Sequence, residues 1–207
     1  MDRFEKCVEV TKDPQYCSFL QDVSRLVGGL VECVAERRSA EECYYACLKR
    51  CQGEECEVAC LSALEAALGV AAARDLARKA ALAVSLMGLS PIDAVALAFN
   101  AEVKKAEERD CPERGVAARI LAAAAAELYK NFKKVPGLQS HAQDVLLLMA
   151  PALAAAYRCV GEAVFEYLDF IKPFVEEEAV KRIVAALEEG AALVGGVVIR
   201  FRPVGQL

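Results

Sequence analysis

The sequence contains no tryptophan, three methionines, two asparagines (Asn100 and Asn131) and a single histidine in 207 residues. A histidine-dependent catalytic triad would have to use His141, and the adjacent Ser140 cannot face it on a helix. The nucleotide-binding patterns G-x-x-x-x-G-K-[ST] and G-x-G-x-x-G are absent, and so is the E-x-x-H pair of di-iron helical proteins. We therefore expect a non-enzymatic protein without a cofactor, in which His141 has a surface or capping role.

Long apolar runs and an excess of positive charge are also missing. The two longest runs without a charged residue lie between Lys79 and Asp93 and between Asp144 and Arg158, and each has 13 residues. A membrane-spanning helix needs about 20. The net charge of −5 gives no general attraction to nucleic acid or acidic lipid. Because the first residues also lack a signal-peptide pattern, we expect a soluble protein without a transmembrane segment, in the cytoplasm or a virion and not secreted.

Ten cysteines are present in a chain that has no visible export signal. Intracellular thiols are ordinarily kept reduced, and the intracellular proteins of hyperthermophiles are the recognised disulfide-rich exception. Scarce asparagine and methionine and abundant Ala, Val, Leu, Glu and Arg are also typical of heat-adapted proteins. The composition therefore predicts a hyperthermophilic archaeon, or a virus of one, as the source.

Apolar residues recur at helical spacing almost throughout, interrupted by proline or glycine at intervals of about one helix length. This pattern predicts an all-α bundle of about eight helices with a short strand-like tail at the C-terminus. Ser39 with Glu42 is typical of a helix start. We expect a break near Gly69, one long helix over 139–170 that is kinked at Pro151, and a last helix opened by Pro173.

The first eight cysteines are symmetrical about predicted turns. The four cysteines nearest the turn at 52–55 form two nested pairs, and the two members of each pair are equally far from the turn. One further pair flanks the turn at 37–39, and another flanks the turn at 12–13. On antiparallel helices joined by a short turn, such positions face each other within reach of a disulfide. The sequence therefore predicts a disulfide-stapled region of helical hairpins with four bridges: Cys7–Cys17, Cys33–Cys43, Cys47–Cys60 and Cys51–Cys56.

A metal centre is the main alternative for these cysteines. Zinc or an iron–sulfur cluster would draw its ligands from five residues: Cys43, Cys47, Cys51, Cys56 and Cys60. The spacing matches neither the C-x2-C knuckles of zinc sites nor the familiar cluster spacings, and no C-x-x-C pair follows a strand as in thiol oxidoreductases. Structural disulfides are the preferred interpretation. Cys111 and Cys159 form either a buried thiol pair or a long-range or intersubunit disulfide.

Residues 70–135 are the only basic third of the chain, with 11 basic and 8 acidic side chains. Cations near helix ends complement the helix dipole, and the alternative interpretation is an anion-binding ridge. With only Tyr129 and Phe132 interleaved, any contact with nucleic acid would be to backbone phosphates. The candidate phosphate-binding residues are Lys104, Lys105, Arg109, Arg114, Arg119, Lys130, Lys133 and Lys134.

Three regions are predicted: Cys-rich helical hairpins (1–62), an Ala-rich helical bundle (63–190) that forms one compact domain with the first, and an apolar tail (191–207). The alanines around 66–83, 117–126 and 152–156 allow close helix packing within the chain or between chains, and the tail is expected to pair with another subunit. We therefore expect a homo-oligomeric structural protein, such as a capsid, nucleoprotein or scaffold subunit. The alternatives are a metal or iron–sulfur module, or a small-ligand-binding or regulatory helical protein.

Overall fold

The computed structural model describes residues 2–36, 38–51 and 53–206. Met1, Arg37, Gln52 and Leu207 lie outside this part, and Arg37 and Gln52 belong to two of the turns that the cysteine symmetry predicts. The all-α fold with a short C-terminal β element is confirmed. Eight α-helices in the described part have nine residues or more. The helices are α1 (Arg3–Thr11), α2 (Pro14–Ala35), α3 (Ala40–Leu48), α4 (Glu54–Met87), α5 (Pro91–Glu107), α6 (Glu113–Lys134), α7 (Ala142–Leu146), α8 (Met149–Val160), α9 (Glu166–Ile171) and α10 (Glu177–Glu189), and the strands are β1 (Ala191–Val194) and β2 (Val197–Arg200).

The helix starts that the sequence indicates are formed by side-chain caps. The Ser39 hydroxyl accepts a hydrogen bond from the backbone N–H of Glu42, and the Glu42 carboxylate accepts one from the backbone N–H of Ser39. This reciprocal arrangement satisfies N–H groups that have no partner within the helix. Asp13 caps α2 by accepting a hydrogen bond from the N–H of Tyr16, and Ser90 caps α5 by accepting one from the N–H of Asp93, each without a reciprocal bond.

Two predicted helix boundaries are wrong. Helix α4 continues through Gly69 without a break, because a glycine inside a helix costs only about 1 kcal/mol and no proline follows it. The segment 139–170 is not one helix but α7, α8 and α9 separated by 3-10 turns. Bonds from Leu147 N–H to the Asp144 carbonyl and from Leu148 N–H to the Val145 carbonyl tighten the chain before α8.

The last helix also begins later than predicted. Pro173 lies in a 3-10 turn (Lys172–Phe174), and α10 begins at Glu177. At the other end of α8, Gly161 has a positive φ of 61° and ends the helix, a conformation that side chains with a Cβ rarely adopt. In this part of the chain Gly161 and Pro173 therefore lie at helix ends as expected, but the helices that they separate are shorter than predicted.

The chain divides between Ala71 and Ala72 into two compact units, each with its own apolar core. In unit 1 (2–71), the core is small and includes the buried Val23, Leu30 and Leu64 together with four cysteine side chains. In unit 2 (72–206), a much larger core is built on α5, α6, α8 and α10. The division falls inside α4, nine residues after the predicted boundary at 62.

The C-terminal tail is a two-stranded hairpin and not a single strand. Strands β1 and β2 pair antiparallel, with Val194 opposite Val197 across a turn at Gly195 and Gly196. Gly195 has φ +60°, and a Cβ there would lie 2.9 Å from the Ile92 side chain, so both the backbone and the space require glycine. The strand hydrogen bonds for which the prediction invoked another subunit are made within the chain, and intersubunit pairing of the tail stays a prediction.

The hairpin is fixed to the start of α5 by one charged hydrogen bond. The backbone N–H of Gly196 donates to Asp93 Oδ1 at 2.7 Å. This bond, followed by the one with Ser90, lowers the pKa of Asp93 below its ordinary value. A carboxyl with a depressed pKa in the folded state stabilises the fold above its unfolded-state pKa, and this contribution is lost as pH falls through the folded-state pKa.

Asp93→Asn keeps the acceptor oxygen but removes its charge. We expect the variant to be less stable than wild type by about 1 kcal/mol near pH 7. The difference should shrink as the pH falls through the lowered folded-state pKa of Asp93, because the wild-type carboxyl then becomes protonated as well. Urea unfolding at a series of pH values measures the loss of stability near pH 7 and its change with pH. Asp110→Asn, at an exposed position, is the control. If the difference in the free energy of unfolding between wild type and Asp93→Asn stayed constant over the whole pH series, the charge of Asp93 would not be what stabilises the hairpin.

Two helical stretches are long and apolar enough to cross a membrane by length and composition. They are α4, with a window of mean hydropathy 1.6, and Gln139–Phe174, with one of 1.4. Core helices of soluble proteins meet the same criterion, and 44% and 67% of the two windows are buried inside the molecule. The expectation of no transmembrane segment stays a prediction.

Candidate functional site

Two nested disulfides join α3 and its C-terminal end to α4. Cys47 on α3 is bonded to Cys60 on α4, and Cys51, just before the turn, is bonded to Cys56 in the first turn of α4. The Cα–Cα distances are 5.9 and 5.8 Å, within the range that a disulfide bridges. The C-x3-C spacing creates this arrangement because residues four apart lie on one face of a helix.

The four sulfur atoms of these disulfides form one cluster. The Sγ atoms of Cys51 and Cys60, which are not bonded to each other, lie 3.8 Å apart. The Sγ atoms of Cys51, Cys56 and Cys60 all lie within 4.8 Å of one another, and Cys47 joins them through its bond to Cys60. Cys51 is partly exposed, whereas Cys47, Cys56 and Cys60 are buried. Cys51 is therefore the sulfur through which a reagent reaches the cluster, which we call the four-sulfur cluster.

Unit 1 contains two further disulfides that close single hairpins. Cys7–Cys17 joins α1 to α2, and Cys33–Cys43 joins α2 to α3, each with a sequence separation of 10. These bonds and the nested pair are the four that the symmetry about the turns predicts. Because Cys43 is bonded to Cys33, it belongs to a different disulfide from the four-sulfur cluster.

The last disulfide, Cys111–Cys159, lies in unit 2. It joins the segment between α5 and α6 to the end of α8, with a Cα–Cα distance of 5.5 Å. Cys111 is exposed, so the expectation of a buried thiol pair is wrong, and the bond is within one chain and not between subunits. All ten cysteines are thus bonded, and the disulfide-rich character is confirmed.

The eight candidate phosphate-binding residues do not form one continuous ridge. Lys104, Lys105, Arg109, Arg114 and Arg119 lie near the junction of α5 and α6, whereas Lys130, Lys133 and Lys134 lie at the far end of α6. The nearest members of the two groups, Arg119 and Lys130, are eleven positions apart, a rise of about 17 Å along the helix. The whole set spans a length that suits an extended polyanion and not one phosphate.

Several of these cations are paired with carboxylates. Lys105 Nζ lies 3.0 Å from Glu102, which also accepts from Lys79 at 2.9 Å. These partners lower the pKa of Glu102, with Lys79 the larger cause. At the other end, Lys130 pairs with Glu127 at 3.4 Å. Such exposed pairs contribute little to stability, but they reduce the positive charge available to an anion.

The aromatic residues of this region belong to the core. Tyr129 and Phe132 are 4% and 6% exposed, so neither ring is available to stack on a base. Lys133 donates a hydrogen bond to the Tyr129 hydroxyl at 3.1 Å, and this contact is the largest cause of the raised pKa of Lys133. Contact with nucleic acid through backbone phosphates stays a prediction.

The buried residues of the described part include no charged or polar side chain. The expectation of a non-enzymatic protein stays a prediction. His141 is half-buried at the N-terminal end of α7, and its side chain makes no capping hydrogen bond. Of the two expected roles, capping is therefore wrong, and a surface role stays a prediction.

Two open grooves are present, each within one unit. A groove of about 420 Å³ between α5 and α6 is lined by Lys105, Arg109 and Val116 among others. A groove of about 390 Å³ in unit 1 is lined by Arg25 and other residues of α2 and α3, and by Arg38 between these helices. Neither contains a fully buried polar side chain that would orient a ligand. Binding of a small ligand stays a prediction.

Comparison with known proteins found no protein family, no curated protein and no solved structure that matches the chain.

Proposed function

We propose that the chain is a non-enzymatic structural protein that assembles with copies of itself, as a capsid, nucleoprotein or scaffold subunit of a hyperthermophilic archaeon or its virus. The observation that carries this proposal is that all ten cysteines are bonded, with four bridges inside the segment from Cys7 to Cys60. A protein that uses every cysteine for cross-linking retains none as a free nucleophile. Cross-links at this density favour a role in which persistence of the fold matters most.

The distribution of the bridges supports the same interpretation. Unit 1 has a small apolar core, and a short chain with such a core needs additional cross-links to stay folded. Three of its bridges close rings of similar size, with sequence separations of 10, 10 and 13. Each ring restricts the unfolded chain by about 2–3 kcal/mol. This stabilisation matters most at temperatures at which unit 1 would otherwise unfold. It therefore agrees with a composition typical of heat-adapted proteins.

The C-terminal end of α4 is the surface that best fits self-assembly. Leu82, Leu86 and Met87 are 63%, 82% and 69% exposed. The exposed Ala81 and Ser85 beside them are small, so another helix can approach closely. Adjacent exposed side chains of this size are unusual on an isolated soluble subunit and typical of protein interfaces. We assign a second copy of the chain to this surface, which we call the α4 apolar end.

The oligomeric state tests this assignment. We expect the oxidised wild type to form an oligomer, and the double variant Leu82→Glu/Leu86→Glu to dissociate to the 22.3 kDa chain, because two buried carboxylates would lack partners at the interface. Native mass spectrometry and light scattering measure the mass. Leu61→Glu, at an exposed leucine (55%) in the first part of the same helix, is the matched control and should keep the wild-type mass.

Two outcomes decide between versions of the proposal. A wild type that stays monomeric at all concentrations would contradict self-assembly. An oligomer whose mass exceeds a multiple of the chain mass and falls after nuclease treatment would indicate a nucleoprotein, whereas an oligomer insensitive to nuclease would indicate a scaffold or an empty shell.

A further inference from the structure

The unbonded distance inside the four-sulfur cluster is the starting point for a second role of these cysteines. Cys51 Sγ and Cys60 Sγ lie 3.8 Å apart. In a tetrahedral zinc site with four thiolates, the Zn–S distance of about 2.3 Å sets the distance between two sulfurs at about 3.8 Å. The cluster therefore already has one edge of a zinc–thiolate tetrahedron. The two sulfurs of this edge come from opposite sides of the turn between α3 and α4.

The two edges that are now disulfide bonds require only small side-chain movements once the disulfides are reduced. A bonded sulfur pair has to separate from about 2.0 Å to about 3.8 Å, a change of about 1.8 Å that rotation about the side-chain bonds supplies. The Cα–Cα distances of 5.9 and 5.8 Å show that the two helices already hold each pair at close range. The third sulfur, that of Cys56, lies within 4.8 Å of both Cys51 and Cys60.

The surroundings suit a thiophilic cation. Cys47, Cys56 and Cys60 are 4%, 7% and 0% exposed, so three of the four ligands are shielded from water. Cys56 lies in the first turn of α4, where the helix dipole favours the negative charge of a metal–thiolate group. Sulfur ligands without carboxylates select zinc over magnesium or calcium.

We propose that the reduced chain binds one Zn²⁺ through Cys47, Cys51, Cys56 and Cys60, and that oxidation to the two nested disulfides releases the ion. Each disulfide forms when two thiolates lose two electrons. With hydrogen peroxide as the oxidant, two molecules accept the four electrons and, with four protons, become four waters, which leaves two disulfides and free Zn²⁺. The α3–α4 hairpin is thus held in both redox states, by the metal before oxidation and by the disulfides after it.

This inference goes beyond the structural role, because an oxidised, self-assembling protein needs no metal. Its consequence is that the hairpin is already formed when the thiols are oxidised. A preformed hairpin directs each cysteine to its partner and disfavours wrong pairs among eight closely spaced thiols. Oligomerisation of the oxidised protein and zinc binding by the reduced protein are separate measurements, so either proposal can fail alone.

Cobalt is the probe for the site, because tetrahedral thiolate coordination of Co²⁺ gives visible d–d bands and an ultraviolet charge-transfer band. The full-length protein is reduced with a phosphine, which does not compete for the metal, and is titrated with Co²⁺. We expect one Co²⁺ per chain with the spectrum of four thiolates, displacement by Zn²⁺, and loss of the bands when peroxide is added. Native mass spectrometry of the reduced protein with Zn²⁺ should show one bound ion.

Matched double variants assign the ligands. Cys51→Ser/Cys56→Ser should lose the charge-transfer band, whereas Cys7→Ser/Cys17→Ser, which removes the same number of thiols elsewhere in unit 1, should keep it. Each variant removes one disulfide of unit 1, so a band that is lost only in Cys51→Ser/Cys56→Ser reports loss of ligands and not loss of a cross-link. The proposal is overturned if the reduced wild type binds no Co²⁺, if both variants bind alike, or if reconstitution with iron and sulfide gives a cluster while zinc does not bind.

Discussion

Reduction of the metal-free protein is expected to unfold unit 1 while the core of unit 2 stays folded. The three larger rings of unit 1 each contribute about 2–3 kcal/mol, so together they stabilise the unit by roughly 6–9 kcal/mol, and the inner nested ring adds a smaller amount. This amount is comparable to the entire free energy of unfolding of a small domain, which is about 5–15 kcal/mol. Once the rings are opened, the small core of unit 1 has too little buried apolar surface to compensate.

Unit 2 depends much less on its cross-link. Cys111–Cys159 closes a ring with a sequence separation of 48, which corresponds to about 4 kcal/mol. Against that loss stands a core that includes fully buried side chains from α5, α6, α8 and α10, among them Phe99, Leu128, Leu153 and Ile183. We therefore expect reduction to lower the stability of unit 2 without unfolding it at room temperature.

Hydrogen exchange measured peptide by peptide distinguishes the two units. With reductant and a chelator present, amides in α2, α3 and the first half of α4 should lose their protection, while those in α6 and α8 should keep it. Cys7→Ala/Cys17→Ala, measured without reductant, serves as a graded control in which only α1 and the start of α2 should exchange faster. Persistent protection of α3 in the reduced, chelated protein would show that packing, not cross-linking, holds unit 1 together.

Zinc adds a second condition to the same measurement. If the reduced chain binds Zn²⁺ at the four-sulfur cluster, adding the metal in place of the chelator should restore protection around the α3–α4 hairpin and leave α1 exchanging freely. The recovery would be local because the metal ligands lie only between Cys47 and Cys60. Thus one experiment compares the hairpin held by disulfides, held by a metal and held by neither.

The disulfide pairs of unit 1 follow from spacing because they depend only on local geometry. When two helices meet at a short turn, residues equidistant from the turn are brought together whatever the rest of the chain does. The approach of Cys51 to Cys60 does not follow from that symmetry, since it depends on the directions of the side chains across the hairpin. Residue spacing therefore predicts the bonds of the four-sulfur cluster but not its compactness.

Helix lengths depend more strongly on packing that a single sequence does not display. Gly69 is buried within α4, and tertiary packing can outweigh its low helix propensity. The divisions of 139–170 likewise arise where α7, α8 and α9 pack into the core of unit 2. The hairpin is a different case, because Gly195-Gly196 between two apolar runs is a recognised local signal for a two-residue turn. That signal was present in the sequence, and the interpretation as one strand was wrong.

The alanine-rich segments predict close helix packing, but the sequence does not show which helix each segment packs against. Gly115, Ala118, Ala122 and Ala125 recur at helical spacing on α6. A Cβ on Gly115 would lie 3.4 Å from the Cβ of Cys159 on α8, so this stripe faces α8. The opposing alanines of α8, at 152, 155 and 156, are fully buried as well. The 117–126 and 152–156 segments are therefore used within the chain, while 66–83 includes exposed alanines near the α4 apolar end.

Replacement of one alanine in this stripe by leucine is expected to have a large effect on unit 2. Ala122 is 0% exposed, and a leucine there would insert three additional carbon atoms between helices whose separation is set by alanine. Such overpacking forces the helices apart or the side chain out of its preferred rotamer, and we expect Ala122→Leu to lower the free energy of unfolding by about 3 kcal/mol. Denaturant unfolding followed by circular dichroism measures the change, with the oxidised protein used throughout so that Cys111–Cys159 stays closed.

Ala101→Leu is the matched control, because position 101 is an exposed alanine on α5 and leucine has nearly the same helix propensity as alanine. Its stability should stay within about 0.5 kcal/mol of wild type. If Ala122→Leu were equally harmless, α6 and α8 would have to separate without loss of packing elsewhere. That outcome would mean that the alanines are not what sets the distance between the two helices, and that the close approach at Gly115 depends instead on the neighbouring disulfide.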